Sequence, residues 1–399
     1  MKKRQAIFYG LAVLFLVAGL LSGNRIFYVL LFTQAAILVC ILILNLWAVV
    51  SFTYTQELSS ARTLRGRPVM LSLAIHNEKS LPFPLMRIRL IVADEHEQKD
   101  LTFNLAPDSH LSFNHEMACP YRGSYEVGMT VIDFLDLFGL LRLPIDMRLL
   151  PYYRMKQLLV YPRLIELTRL NMPALDAQRF TRHQNLTDDH EQPYAMVRKY
   201  RPGDAGKQIH WKVSMRQRQL MTRVYEQATE PDIELILDLN PGGYKGESAR
   251  QTEDVFCESA TALVYYLLRQ NWHLLVTGYG KEIRHLSGSS LKDFQPIYQW
   301  LAAVQFDSHR NFLQQLRQDL VSSHRVRARI ILTTRIEAEI GEILGQNRLS
   351  RTSNYTLVTG PARDNPSESQ LAGLFHQAGL PVWFIHYGDD LTKVLQGDF

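Results

Sequence analysis

The stretch from Met196 to Tyr225 concentrates the side chains best equipped for binding chemistry. It carries eight basic residues (Arg198, Lys199, Arg201, Lys207, Lys212, Arg216, Arg218 and Arg223) against one acid, Asp204, a local balance of +7. The whole chain sums to +5, so the remainder nets −2. Two uses compete for such a block. Arg198 and Arg216 can make forked hydrogen bonds to Asp204, Glu226 or Glu230 and so lock two parts of the fold together, because buried charges come paired. Alternatively the cations line an open groove for an acidic partner segment. Phosphate contacts are a third use, but interleaved aromatics are few and no nucleic-acid-binding module is recognisable, so no nucleic acid is expected as a partner. Within the block, Asp204 follows Gly203 and is placed to cap a helix or turn over residues 205–207. Trp211 is expected to bury its ring while its indole N–H finds an acceptor.

A second candidate is Asp238, at the end of the apolar run 233–239. Asn240 follows two residues later, and a carboxylate with a nearby amide oxygen suits a hard cation such as magnesium. The bland alternative is a strand-end Asp that caps the next turn. Elsewhere, His183, Asp188, Asp189, His190 and Glu191 cluster without any recognised ligand spacing and read as a solvated loop. There is no G-x-x-x-x-G-K-[ST] and no G-x-S-x-G, and Gly278-Tyr279-Gly280 lacks the third glycine of a dinucleotide fingerprint. No nucleophile–base pair emerges, and the chain reads as non-enzymatic. Cys40, Cys119 and Cys257 are scattered, which excludes a C-x-x-C zinc or redox site and suits a reducing compartment.

These residues need elements to hold them. The chain has 399 residues, 46% of them hydrophobic and 21% charged, enough for two or three domains and unlike a disordered, collagen-like or disulfide-stapled protein. Its mean hydropathy of −0.12 excludes a polytopic transporter. The first 55 residues differ sharply from the rest. Apolar runs at about 6–23 and 26–50 flank the polar break Ser22-Gly23-Asn24-Arg25 and read as a transmembrane helical hairpin. A cleavable signal peptide also begins basic then apolar, but a secreted domain would not keep a second long apolar run. Lys2, Lys3 and Arg4 precede the hairpin, Arg62, Arg65 and Arg67 follow it, and only Arg25 sits between the runs. Both termini and the soluble part are therefore expected in the cytoplasm.

From 60 to 165 the pattern is of short strands. Val69, Leu71, Leu73 and Ile75 share a face, 86–92 alternates, and further candidates lie at 101–105, 111–117 and 124–131. A β-sandwich is expected there. Residues 166–230 form a connecting segment that holds the basic block. From 231 to 399, strands at 233–239, 273–277, 329–333, 355–358 and 382–386 alternate with helices near 291–304, 312–321, 369–378 and from Glu337. That is the pattern of βαβ units and a mainly parallel sheet. Ser248 and Gln251 resemble a capping box, and the helix after them carries Phe256, Ala260, Leu263, Val264 and Leu267 on one stripe.

The basic block also carries a resemblance. Arg198, Tyr200, Gly203, Asp204, Ile209, Trp211, Lys212, Ser214, Arg216 and Leu220 match in order the pattern R-x-Y-x-x-G-D-x-x-R-x-I-x-W-K-x-S-A-R-x-x-x-L, which an acidic position (here Glu226) and a strand ending in Asp follow. Arg122-Gly123-x-Tyr125, Asp136-Leu137-Phe138-Gly139-Leu140 and Tyr161-Pro162 also fit. His210 stands inside the motif. In these features the chain closely resembles the bacterial domain-of-unknown-function 58 family over most of residues 60–399. It departs at Lys207-Gln208, where an Arg often precedes the Ile, and at Met215, which replaces a small residue. The resemblance implies a von Willebrand factor A-like α/β domain with a Rossmann-type sheet. It also implies a place in the inner membrane beside MoxR-type AAA+ ATPases and other membrane proteins. In von Willebrand A domains a D-x-S-x-S motif helps to hold magnesium. Here Asp238-Leu239-Asn240-Pro241-Gly242 is a degenerate version. The expected role is a membrane-anchored adaptor or chaperone-like assembly factor that needs no cofactor. The alternatives are a magnesium-dependent ligand-binding domain and an uncharacterised hydrolase.

Overall fold

Two apolar helices open the chain: α1 (Lys2–Ser22) and α2 (Arg25–Ser51), of 21 and 27 residues. Both are long and apolar enough to cross a membrane. Gly23 makes the turn between them at φ +63°, and Asn24 caps α2 by accepting the Ile26 N–H at 3.0 Å. Gln34 of α2 reaches back and donates to the Phe8 carbonyl of α1 at 2.5 Å. The computed structural model describes the chain except for residues 1, 93–97, 137, 173–193, 202–208, 226–230, 309–310, 323–325, 347–351, 361–369, 371–372, 376, 378 and 398–399. The described residues form two units, one of residues 1–163 with 299–304, the other of 164–298 with 305–399.

The first unit continues with β1 (Thr53–Leu58), β2 (Arg62–Leu64), β3 (Val69–Asn77), β4 (Phe83–Ile91), β5 (Gln98–Leu105), β6 (Ser109–Met117), β7 (Gly123–Leu135), β8 (Arg142–Asp146) and β9 (Lys156–Tyr161). One sheet runs β1-β3-β6; the other runs β2-β9-β7-β4-β5, with β8 also on β7. Apart from the parallel β2–β9 pair, the strands are antiparallel. The alternation read from the sequence is realised in β3, where Val69, Leu71, Leu73 and Ile75 are all buried. Leu73 and Ile75 share one core with Met86, Ile88 and Leu90 of β4 and with Met129, Ile132 and Phe134 of β7. Ala48, near the end of α2, is buried in the same core, and the Trp47 ring packs 5.8 Å from Phe83.

One polar group is buried between β1 and β7. Gln56 donates to the Val127 carbonyl at 3.4 Å and accepts the Met129 N–H at 3.1 Å and the Tyr153 hydroxyl at 3.4 Å. Tyr153 also donates to the Met129 carbonyl at 2.5 Å, and burial pushes its phenol up to about 12. The amide fits because residue 128 has no side chain. Gly128 sits at φ +140°, and a Cβ there would stand 2.3 Å from Gln56 Nε2.

The second unit holds the hairpin β10 (Tyr194–Lys199) and β11 (Met221–Tyr225), with helix α3 (Trp211–Gln217) between them. Then come β12 (Ile233–Asp238), α4 (Glu247–Arg269), β13 (Leu274–Tyr279), β14 (Ile283–Gly288), α5 (Phe294–Ala303, whose residues from 299 on are grouped with the first unit), α6 (Phe312–Ser322), β15 (Ala328–Thr333), α7 (Ala338–Gln346), β16 (Ser353–Gly360), β17 (Val382–His386) and α8 (Leu391–Gln396). The sheet order is β14-β13-β12-β15-β16-β17, parallel throughout except for the edge strand β14. Every residue of β12 and of β15 is buried, as expected for strands covered on both faces. β14 escapes the sequence reading because it is an edge strand whose exposed face carries no apolar alternation. The expected capping box of α4 does not form. Gly246, at φ +61°, precedes the helix without a side-chain cap, and Gln251 instead donates to Glu247 at 3.3 Å. The apolar stripe of α4 is buried as expected. Of the helix expected near 369–378, residues 370, 373–375 and 377 are described, and they are helical.

The Gln56 arrangement makes a prediction. Gly128→Ala should destabilise the full chain by about 2 kcal/mol or more, because it combines a strained φ with displacement of a buried amide. Gln56→Ala added to it should recover part of that loss. Thermal unfolding in detergent measures both; additive losses would show that the two positions do not share the space.

Candidate functional site

The basic block folds as a small frame with an open face. The β10–β11 hairpin pairs Arg198 with Thr222 and Lys199 with Met221, and the Tyr200 N–H donates to the Leu220 carbonyl at 2.9 Å. Ile209 bridges to Thr222, and the His210 N–H donates to the Met221 carbonyl at 2.8 Å. His210 then caps α3: its Nδ1 faces the Val213 N–H at 3.4 Å. Ser214 ties the helix to the strand, donating to the His210 carbonyl at 3.0 Å and accepting the Met221 N–H at 2.9 Å. His210, Ser214 and Thr222 are buried and serve this closure.

What α3 turns outward overturns the expectation of a buried Trp211. Trp211 is 63% exposed and Met215 80%, while Lys212 and Arg216 are exposed beside them. The reason is helical geometry. Residues four apart share a stripe, so with His210 and Ser214 turned to β11, Trp211 and Met215 lie about 100° and Lys212 and Arg216 about 200° around the axis. Arg198 is half-buried and donates to the Lys199 carbonyl at 3.1 Å. Gly203, Asp204 and Glu226 lie outside the described residues, and so do the forked pairings expected of Arg198 and Arg216 with Asp204, Glu226 and Glu230. The loop cluster from His183 to Glu191 lies there too.

Asp238 occupies a different place, the carboxyl end of β12. The chain leaves β12 for β13 on one side and later fills β15 on the other. Crevices at such switch points are where open parallel sheets hold ligands. Asp238 Oδ1 accepts from the Asn240 backbone N–H at 3.2 Å and from the Asn240 side-chain amide at 2.7 Å. Its Oδ2 accepts from the Thr333 hydroxyl at 2.9 Å, across to the end of β15. A cleft of about 450 Å³ opens above them, lined also by Ser308, Asn311, Phe312, Arg335 and Glu337. Desolvation raises the Asp238 carboxyl to about 6 despite these donors, and the nearby charge of Glu337 adds to the rise.

The residues present fit a magnesium ion poorly. Both Asp238 oxygens are already taken by donors, and the Asn240 amide presents its N–H₂. At Gly242 a Cβ would stand 2.6 Å from Thr334 Oγ1, so no side-chain ligand fits there. Among the described residues no group of three or more His, Cys, Asp or Glu side chains is placed to hold a metal. Asp238 and Asn240 act instead as a self-satisfied pair. Thr333, Ser308 and Arg335 are cleft residues that sequence reading passed over: Thr333 lies 95 positions from Asp238, and no local spacing connects them.

The raised carboxyl sets a pH dependence. The folded state holds the Asp238 proton more tightly than the unfolded chain does, so this group favours folding at low pH. That contribution fades as pH rises from about 4 through about 6, and above that window the buried charge is a constant cost. Asp238→Asn removes the titration. Between pH 4 and pH 7 the variant should gain about 2–3 kcal/mol of stability relative to wild type. Parallel unfolding curves for the two proteins across that window would contradict the burial of an ionising group here.

Residues 196–335 match the family model described as "Protein of unknown function DUF58". No curated protein matches the chain. Among solved structures, proximal thread matrix protein 1 from the mussel byssus aligns at 10% identity with a TM-score of 0.30, over 42% of this chain and 46% of its own. The Deinococcus radiodurans RO (RSR) protein aligns at 12% identity with a TM-score of 0.27, over 43% of this chain and 35% of its own. The chain thus spans less than half the length of either. The matched segment begins in β10, takes in the α3 frame and ends beyond Asp238 and Thr333, and over it the chain is similar to the DUF58 family.

Proposed function

We propose that the chain is a non-enzymatic, membrane-anchored adaptor or chaperone-like assembly factor that works with a MoxR-type AAA+ ATPase. In this reading α1 and α2 cross the bacterial inner membrane, and both termini and the soluble units face the cytoplasm. The first unit is a β-sandwich and the second a von Willebrand A-like domain. What supports the anchor is the apolar length of the two helices with the basic residues flanking them. What supports the α/β assignment is the parallel sheet with β12 at its centre and one antiparallel edge strand.

The observation that carries the adaptor role is the exposed face of α3. Trp211 and Met215 form an apolar stripe beside the cationic stripe of Lys212 and Arg216. Large apolar side chains left in water beside unburied cations suit a partner with an apolar pocket rimmed by acids. The ATPase partner itself comes from the family resemblance. A second reading rests on the cleft at Asp238, as the seat of a ligand that needs no metal.

Two variants separate these readings. Lys212→Glu with Arg216→Glu should reduce co-purification of the ATPase from membranes by about tenfold or more. The melting temperature should not change, because both side chains are exposed. Arg335→Glu, at the cleft, should leave co-purification intact. Recovery of the ATPase by the α3 variant as by wild type would end the docking role of this helix, and its absence from the wild-type sample would end the ATPase assignment. Loss with Arg335→Glu alone would move the binding site to the cleft.

A further inference from the structure

The motif Asp136-Leu137-Phe138-Gly139-Leu140 has no part in either site above. Its described residues, 136 and 138–140, lie between β7 and β8, and Asp136 bonds across them. Its Oδ2 accepts the Phe138 N–H at 2.9 Å, and its Oδ1 accepts the Leu141 N–H at 2.6 Å. The Gly139 N–H donates to the Asp136 carbonyl at 3.1 Å, with Gly139 at φ +70°. Asp136 and Leu140 are buried, yet the turn leaves Phe138 59% exposed. The tightly bonded turn thus fixes an aromatic ring out in solvent.

The neighbours of the turn place it in the unit. Gln5, on α1, donates to the Leu140 carbonyl at 2.9 Å, so the turn lies against the start of the first apolar helix. Leu85 pairs in register with Leu135, one residue before the turn, and is itself exposed. Phe83 packs on Trp47, and Phe134 packs 6.0 Å from Phe52, so the end of α2 arrives at the same edge. Ile7 and Val50, on the two helices beside this edge, are also exposed. The turn that bears Phe138 therefore lies at the same edge as the start of α1 and the end of α2, and Lys3 and Arg4 stand exposed at the start of α1. Aromatic rings flanked by cations are suited to the headgroup boundary of an anionic bilayer.

We propose that the Asp136–Leu140 turn is a lipid-interface anchor: Phe138, with Leu85, seats in the headgroup–acyl boundary of the phospholipid bilayer and holds the first unit against the membrane. The inference rests on the reading of α1 and α2 as membrane spans.

Nitroxide accessibility in the full chain tests it. Cys119 and Cys257 are buried and Cys40 is exposed, so the label goes onto Phe138→Cys in a Cys40→Ala background. The protein is reconstituted in vesicles of phosphatidylcholine and phosphatidylglycerol. Collisions with molecular oxygen are compared with those of a polar nickel chelate. Glu116→Cys serves as reference, because Glu116 is exposed near the end of β6 that lies away from α2. Leu85→Cys gives an independent reading should the Phe138 variant not fold. The oxygen-to-nickel ratio at 138 should exceed that at 116 several-fold. Equal ratios would overturn the proposal, because the turn would then face water. Exclusion of both reagents at 138 would overturn it too, because protein would then cover the ring. A label on the native Cys40, in mid-α2, reports separately on the span: a dry Cys40 with a wet 138 rejects the anchor alone, and a wet Cys40 rejects the membrane hairpin itself.

Discussion

The register between β12 and β15 is the constraint on which the α/β unit depends. Both strands are buried on every residue, and each carries one charge in its interior. Glu234 and Arg329 stand opposite each other and pair at 2.7 Å, both almost wholly buried. An unpaired charge at either position would be costly, so the pair disfavours every other alignment of the two strands. A slip of one residue would also turn each side chain to the opposite face of the sheet. The same alignment carries Asp238 and Thr333 to neighbouring strand ends, where the hydroxyl can reach the carboxylate. The Asp238–Thr333 contact at the cleft thus depends on the alignment that the buried ion pair favours, four residues away along each strand.

The first unit solves a related problem with neutral groups. Its two sheets share an apolar core, and the one amide between β1 and β7 is satisfied by two backbone groups and a phenol. That geometry needs the missing side chain at Gly128. A network with every member bonded specifies a single packing, whereas a partly bonded one would be worse than an apolar core. Because α2 ends in this same core, through Ala48 and Trp47, the unit is joined to the apolar hairpin by packing as well as by the chain.

Much of this was legible in the sequence, and the reasons differ by element. The two apolar helices declare themselves by length, and β3 by period-two alternation. The central strands read clearly because burial on both faces fills their interiors with apolar residues, apart from the paired Glu234 and Arg329. The β14 edge strand did not, since nothing in its exposed residues distinguishes it from a loop. Trp211 was misread because a tryptophan's bulk argues for burial, while the side of α3 that meets the fold is decided by two small hydrogen-bonding groups, His210 and Ser214. The Asp238–Thr333 contact was out of reach, because its two members are joined by strand order and not by spacing.

The two candidate surfaces of the second unit differ in how their polar groups are satisfied. Around Asp238 the carboxylate has its donors within the fold, and a ligand there would have to compete with Thr333 and Asn240 for the same lone pairs. On α3 the buried groups are the ones that bond internally, and the large apolar and cationic side chains are left to water. Binding gains most where burial removes apolar area from solvent without breaking bonds already made. By that criterion a protein partner gains more on α3 than in the cleft. The segment is thus built in two layers: His210 and Ser214 close the platform, and Trp211, Lys212, Met215 and Arg216 are left exposed on it.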